Sequence, residues 1–468
     1  MPIHFNHIGL YTDHYELTMA QGYFLSGKQT TPASFDYFFR KNPYNGGFVI
    51  FSGLSDLLEM LINYRYEKED CQYLESLGFN KRFIEYLKNF TFTGNIYSVR
   101  EGEIIFPNEP VVRVEGNLIE TQVIETLLLN ILNFQSLIAT KAARIRLVAG
   151  EKYLSDFGLR RAQGLGAIHA SRAAIIGGFN NTSNVYSAYH FNLESGGTMA
   201  HSWIQSFDSE LKAFREFVRH NPDSAILLVD TFNTITSGLP NAIRVAKELE
   251  KRDHRLFGIR LDSGDLAYLS KAARKILDEN QLEYVKIIVS NQLDEHVIKS
   301  LQEQHAPIDA FGVGTALVTG KNEGALDGVY KMAQIKDKPT MKFSENIAKM
   351  TLPGIKTIYR YFEPEDNLLY ADGVELRDAD VPWEIYHPHQ IEKHSSLKDV
   401  KHEEIISKVM ENGKIINDKP SIGHIAEYVQ KRLKQLPEEI KRFENPHMYK
   451  VGIGKKLMEI RNNLKNTL

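Results

Sequence analysis

From about residue 140 onward, short and nearly continuous apolar runs alternate with amphipathic stretches. "AILLVDTF" precedes "LPNAIRVAKELEKR", "LFGIRLDSGD" precedes "LAYLSKAARKILDEN", "VKIIVSNQ" precedes "DEHVIKSLQEQ", and "IDAFGVGTAL" follows. Unbroken apolar runs fit strands covered on both sheet faces. The stretches between them repeat at helical spacing: Leu266, Leu269, Ala273, Ile276 and Leu277 share one face, and Asp262, Ser263 or Asp265 can cap its start. This rhythm predicts parallel βα units. Their strand ends carry Asp230, Arg260, Asp262, Ser290, Asn291 and Thr315. A (β/α) barrel gathers such ends on one face, where active sites lie. An open doubly wound sheet presents them in the same way, and four units leave closure open.

The flanking regions have another texture. Residues 1 to about 135 mix helical patterns with "SFDYFF", "GFVIFSG" and "GEIIFPNEPVVRVEG", whose Gly and Pro punctuation predicts an antiparallel α+β unit. After about 340 the pattern becomes loop and strand, then a charged helical tail. The expected organisation is an N-terminal α+β domain over 1–135, a βα catalytic domain over 136–340, and a 341–468 segment packing back on the first.

Composition narrows the function. A chain of 468 residues exceeds the length at which one core stops growing, and 43% hydrophobic with 25% charged residues is globular. The net charge of −3 argues against a nucleic-acid-binding footprint. With Cys71 as its only cysteine, the chain forms no internal disulfide and no thiolate zinc cluster. The N-terminus lacks a basic and apolar leader pattern, and "VIETLLLNILNFQSLIA" is interrupted by Glu125, Asn130, Asn133 and Gln135. These features lead us to expect a cytoplasmic protein without a membrane span.

Candidate chemistry gathers at the strand ends. "LDSGD" at 261–265 offers two carboxylates at a strand-to-helix turn, suited to a metal or to sugar hydroxyls, or merely to capping. "GVGTALVTG" supplies glycines that let backbone amides approach a phosphate. In "DFGLRRAQG", Arg160 and Arg161 suit phosphate or carboxylate; on a strand only one of them would face a site. "GGFNNTSNVYSA" reads as a polar turn containing Ser183. "HPH" at 387–389 has the spacing of a metal pair, but Pro388 favours a surface loop. His201, in "GGTMAHSWIQSF", reads either as a satisfied ring beside Trp203 and Phe207 or as a reactive imidazole.

In order along the chain, "TDHYELTMAQGYF", "EGEIIFPNEPVVRVEG", "DFGLRRAQG", "GFNNTSNV", "GTMAHS", "DTF", "RLDSGDL", "VSN" and "FGVGT" resemble the nicotinate phosphoribosyltransferases, with "KFSENIAKMTLPG" extending the match. The resemblance implies an irregular parallel β/α barrel packed against a split α+β domain. It also implies an ATP-dependent condensation of nicotinate with 5-phosphoribosyl 1-pyrophosphate, giving nicotinate mononucleotide and pyrophosphate in NAD salvage. By the same resemblance His201 is the histidine phosphorylated by ATP. Tyr15, Thr198 and Arg260 contact nicotinate, and Gly314 with Thr315 holds the ribose 5-phosphate. Phe157 and Arg160 match the ring-stacking aromatic and the ligand-contacting arginine of the related nicotinamide enzyme. Ser290 and Asn291 complete the substrate set, and Asp230 and Asp262 stand near the ribose and Mg²⁺. Ser183 aligns with an aspartate of the nicotinamide enzyme. A homodimer sharing its active site is expected. Rival readings are a nicotinamide or quinolinate phosphoribosyltransferase and a silent barrel serving as a binding protein. A metal-dependent barrel hydrolase is a third, but it would need a His-rich ligand set that the strand ends lack.

Overall fold

The apolar runs become six parallel strands: β1 (Tyr153–Asp156), β2 (Asn181–Thr182), β3 (Ile226–Leu228), β4 (Gly258–Leu261), β5 (Lys286–Ser290) and β6 (Ala310–Val313). Hydrogen bonding orders them β2–β1–β6–β5–β4–β3, and every adjacent pair is parallel. This is the mixed α/β architecture with a parallel sheet that the rhythm predicts. Among the described residues the ladder runs from β2 to β3, and no hydrogen-bonded pair joins those two ends.

Amphipathic helices follow the strands: α1 (Leu239–Glu250), α2 (Leu266–Glu279) and α3 (Glu295–Glu303). Of the three candidate caps for α2, Asp265 is used, accepting from the Tyr268 amide at 3.0 Å. Asp294 caps α3 through the amides of His296 and Val297. Gly238, just before α1, is needed for close approach, because a Cβ there would fall 1.8 Å from the Val229 carbonyl oxygen.

The computed structural model describes residues 6–344, 349–388 and 390–466. It divides into two compact units, Met1–Thr140 with Ala325–Leu468, and Lys141–Gly324. The boundary expected at 340 therefore moves to 324. The strand Gly328–Ile335 pairs antiparallel with Pro32–Phe39, from Ala33 opposite Ile335 to Phe39 opposite Gly328, and so belongs to the first unit. Phe35 stacks on Tyr330 across that pair, with ring centroids 4.9 Å apart. The other boundary falls after Thr140, inside the helix Glu125–Ala149, rather than at 135.

The last third of the chain contributes to two sheets of this unit. Ile406–Glu411 pairs with Asn95–Val99, while Lys356–Phe362, Leu369–Leu376, Glu384–His387, Gln390–Ser396 and Lys450–Ile453 lie in a separate six-stranded sheet. Buried Arg360 bridges Asp372 and Glu103 at 2.6 and 2.5 Å. One continuous helical stretch, Leu118–Ala149, is long and apolar enough to cross a membrane; 72% of its apolar window is buried inside the protein, which marks it as a core element. Cys71 is also buried.

Candidate active site

The second unit's strand ends converge through a short chain of buried polar contacts. Asp156, at the end of β1, accepts from Ser171 and Thr182 hydroxyls at 2.7 Å each and from the Gly158 amide at 2.8 Å. Burial pushes this carboxyl up from its ordinary value, and the three donors oppose that shift. One side chain thus ties the end of β1 to β2 and to the helix Gly164–Ile176. The segment that follows is fixed from the other side, because the Phe157 amide donates to the Val313 carbonyl at 2.8 Å. The Phe157 ring lies against Gly312, where a Cβ would fall 2.3 Å from a ring carbon.

A cavity of about 770 Å³ opens over these strand ends. Its lining includes Phe157, Arg160, Ser183, Thr198, His201, Arg260, Asp262, Ser290, Asn291, Gly314 and Thr315, residues singled out from sequence alone. Arg161 lines it too. Strand alternation would have turned one of the two arginines away, but Leu159–Arg161 is a 3-10 turn and the rule does not apply. Asn291 and Gln292 leave β5 with positive φ values of 87° and 42°. Such backbone is strained for these residue types and needs support from its surroundings.

Arg260 is the most enclosed cation of the lining. Its Nη1 donates to the Thr198 hydroxyl, and its Nε is buried without a hydrogen-bond partner among the described residues. Burial lowers its pKa most, Asp262 and Asp230 pull the other way, and Arg160 adds to the lowering. An unpaired guanidinium N–H in such a place is a ready partner for an acid group.

The two aspartates divide their work. Asp230 Oδ2 accepts from the Asp262 amide at 2.7 Å and from the Ser263 hydroxyl at 2.6 Å, which fixes the turn after β4. Asp230 is not among the residues lining the cavity, and its Oδ1 is buried without a hydrogen-bond partner among the described residues. Asp262 faces the cavity; its Oδ1 accepts from Ser290 Oγ at 2.5 Å, and its Oδ2 lies 3.8 Å from His201 Nε2. His201 is the first residue of the helix His201–Gln205, and its Nδ1 stands 3.0 Å from Thr231 Oγ1. The ring is therefore held at one nitrogen and presents the other to a carboxylate and the cavity.

No group of three or more metal-ligating side chains exists among the described residues. A hard cation such as Mg²⁺ does not need one, since it binds through one or two carboxylates together with substrate phosphates. The cavity-facing Asp262 fits that donor set, and Asp230 fixes the turn that carries it.

Tyr15 belongs to the first unit, near the start of the helix His14–Leu25, and is 47% exposed. Its hydroxyl is pushed up by burial and by Glu125, Glu16 and Asp13. His387 accepts from the Gln390 amide, and His389 lies outside the described residues, as do residues 345–348 of "KFSENIAKMTLPG". Sequence reasoning gave no role to Thr231, Gln292 or Lys321, all of which touch this site. Thr231 sat inside the quoted "DTF" and Gln292 beside "VSN", whereas Lys321, held 3.4 Å from Asp294, had only its place after "GVGTALVTG" as a signal.

Three family models match along the chain: the nicotinate phosphoribosyltransferase N-terminal domain over residues 10–133, the nicotinate phosphoribosyltransferase family over 153–379, and the C-terminal domain over 355–461. The nicotinate phosphoribosyltransferase of Bacillus subtilis strain 168 is 42% identical over 96% of this chain and 93% of its own length. That of Dictyostelium discoideum is 36% identical over 97% of this chain and 88% of its own length. The crystal structure of human nicotinic acid phosphoribosyltransferase superposes with a TM-score of 0.87 at 29% identity, covering 97% of this chain and 99% of the human one.

Proposed function

The chain belongs to the nicotinate phosphoribosyltransferase family, and on that premise we propose that it couples the condensation of nicotinate with phosphoribosyl pyrophosphate to ATP hydrolysis through His201. The observation that carries the base-binding half is Arg260, enclosed, bonded to Thr198 and left with a free Nε. A ring carboxylate would take that N–H together with the Thr198 hydroxyl, and Phe157 supplies an aromatic face for the ring. The ring nitrogen then attacks C1 of the ribose as the C1–O bond to pyrophosphate breaks. Positioning and charge stabilisation suffice for this step. Gly314 and Thr315 would seat the 5-phosphate, Arg160 and Arg161 the pyrophosphate, and Ser290 and Asn291 the remaining polar groups. Mg²⁺ held by Asp262, on the turn that Asp230 fixes, would offset the charge of the leaving pyrophosphate.

His201 supports the coupling half. With its proton on Nδ1 and donated to Thr231, Nε2 carries a lone pair directed past Asp262 toward the cavity. Attack of Nε2 on the γ-phosphorus of ATP would release ADP, and water would later cleave the N–P bond to give inorganic phosphate. The parallel sheet is read as the wall of an irregular barrel, and the working unit as a cytoplasmic homodimer whose site is shared between subunits. Mixing a Tyr15→Ala chain with an Arg260→Ala chain, each impaired alone, should then give more activity than the sum of the two once subunits exchange. No recovery in a mixture shown to exchange would remove the shared site.

Ser183 gives a second expected result. It lines the cavity, and its amide is fixed to the Asp156 carbonyl at 2.8 Å. A hydroxyl there can donate to a ring acid, whereas a carboxylate would repel it. Nicotinate should exceed nicotinamide in kcat/KM by at least about 100-fold, since a hydrogen bond to a charged group contributes about 1.5–3 kcal/mol and a neutral amide leaves Arg260 unpaired. Ser183→Asp should narrow the ratio chiefly by harming nicotinate use. An unchanged ratio in steady-state kinetics would place selectivity elsewhere.

A further inference from the structure

A second cavity, of about 410 Å³, lies wholly within the first unit, over one face of its six-stranded C-terminal sheet. Its floor is a single cross-strand row. His394 pairs with Tyr386, Tyr386 with Ile453, and Ile453 with Val374, so four adjacent strands each contribute one side chain on the same face. The row runs from an exposed imidazole to a fully buried valine. Phe106 and Tyr449 form a rigid wall, stacked with centroids 3.7 Å apart, and the Tyr449 hydroxyl is tied to Asp372 at 3.1 Å.

The polar groups of the lining are one-sided. Lys393, His387 and His394 line the cavity, Lys450 lines it with its ammonium over the Tyr370 ring, and no carboxylate does among the described residues. Asn42 also lines it, and its amide oxygen is buried without a hydrogen-bond partner. An orphaned buried acceptor of this kind has an unmet need for a donor. The size suits a one- or two-ring molecule, and a mostly apolar enclosure with a few convergent polar groups is the usual form of a small-molecule site.

We infer that this cavity binds a small aromatic acid that also carries an N–H or O–H donor. The ring lies between the Phe106–Tyr449 wall and the Tyr386–Ile453 row, the acid group faces the Lys393 and His394 end, and the donor meets Asn42 Oδ1. The two cavities share no lining residue.

Titration calorimetry of the full chain with indole-3-acetate tests it, with saturating nicotinate mononucleotide present to fill the reaction cavity. One saturable site is expected. Tryptamine, which keeps the ring and N–H but reverses the charge, should not compete. Naphthalene-1-acetate, which lacks the N–H, should bind more weakly, and Asn42→Leu should close that gap. Leu352→Trp, filling the cavity from a half-buried loop, and Lys393→Glu, at the exposed rim, should each weaken indole-3-acetate about tenfold, with nicotinate transfer at the wild-type rate as the check on folding. Equal binding of tryptamine, wild-type affinity in both variants, or no saturable heat in the millimolar range would each overturn the inference.

Discussion

Arg260→Ala is expected to lower kcat/KM for nicotinate by about 10- to 150-fold through the lost charge-assisted contact alone, and further because Asp262 loses its cationic neighbour. The direction follows from where the guanidinium sits. It is largely buried, its Nη1 is committed to Thr198, and its Nε has no other use in the described structure. Removing it leaves the Thr198 hydroxyl without its donor and the ring acid without a counter-charge. Arg260→Lys should recover little, because an ammonium cannot reach the hydroxyl and a carboxylate with a planar fork. Use of nicotinamide should fall much less than use of nicotinate, so the ratio of the two is the informative readout. Equal losses with both bases would mean that Arg260 supports the fold of the strand end and does not read the acid.

His201→Ala is expected to remove the whole of the ATP effect while leaving slow, ATP-independent transfer. The distinction rests on geometry: His201 touches Thr231 and faces Asp262, whereas Arg260 and Thr198 form the contact assigned to the ring acid. The variant should remain folded, because the His201 side chain is 40% exposed and a partly exposed helix-terminal position carries little packing. Rates measured with and without ATP should therefore become equal in the variant. Undiminished stimulation by ATP would assign coupling to another group.

These expectations use residues of unequal legibility. The βα units could be read because parallel strands buried on both faces leave unbroken apolar runs, and because their polar residues cluster where the strands end. "GVYKMAQI" shows the opposite case: nothing local in it says that it pairs with Pro32–Phe39, nearly three hundred residues earlier, so the rhythm of the chain carries the expected boundary past it. Strand alternation admits only one of Arg160 and Arg161 to the site, but their segment is a 3-10 turn and both line the cavity. The choice of Asp265 over Asp262 as the cap of α2 also needed coordinates, since all three candidates sit within one turn. That choice matters, because it leaves Asp262 free to face His201. Thr231 acquires meaning only once β3 and the His201–Gln205 helix are brought together.

The coupling claim is tested most directly by incubating the protein with ATP labelled in the γ-phosphate and measuring acid-labile, base-stable label on the protein. The account predicts label confined to the peptide containing His201, absent from His201→Ala, and discharged when nicotinate and phosphoribosyl pyrophosphate are added. No label on the wild-type protein, or the same label on His201→Ala, would contradict it.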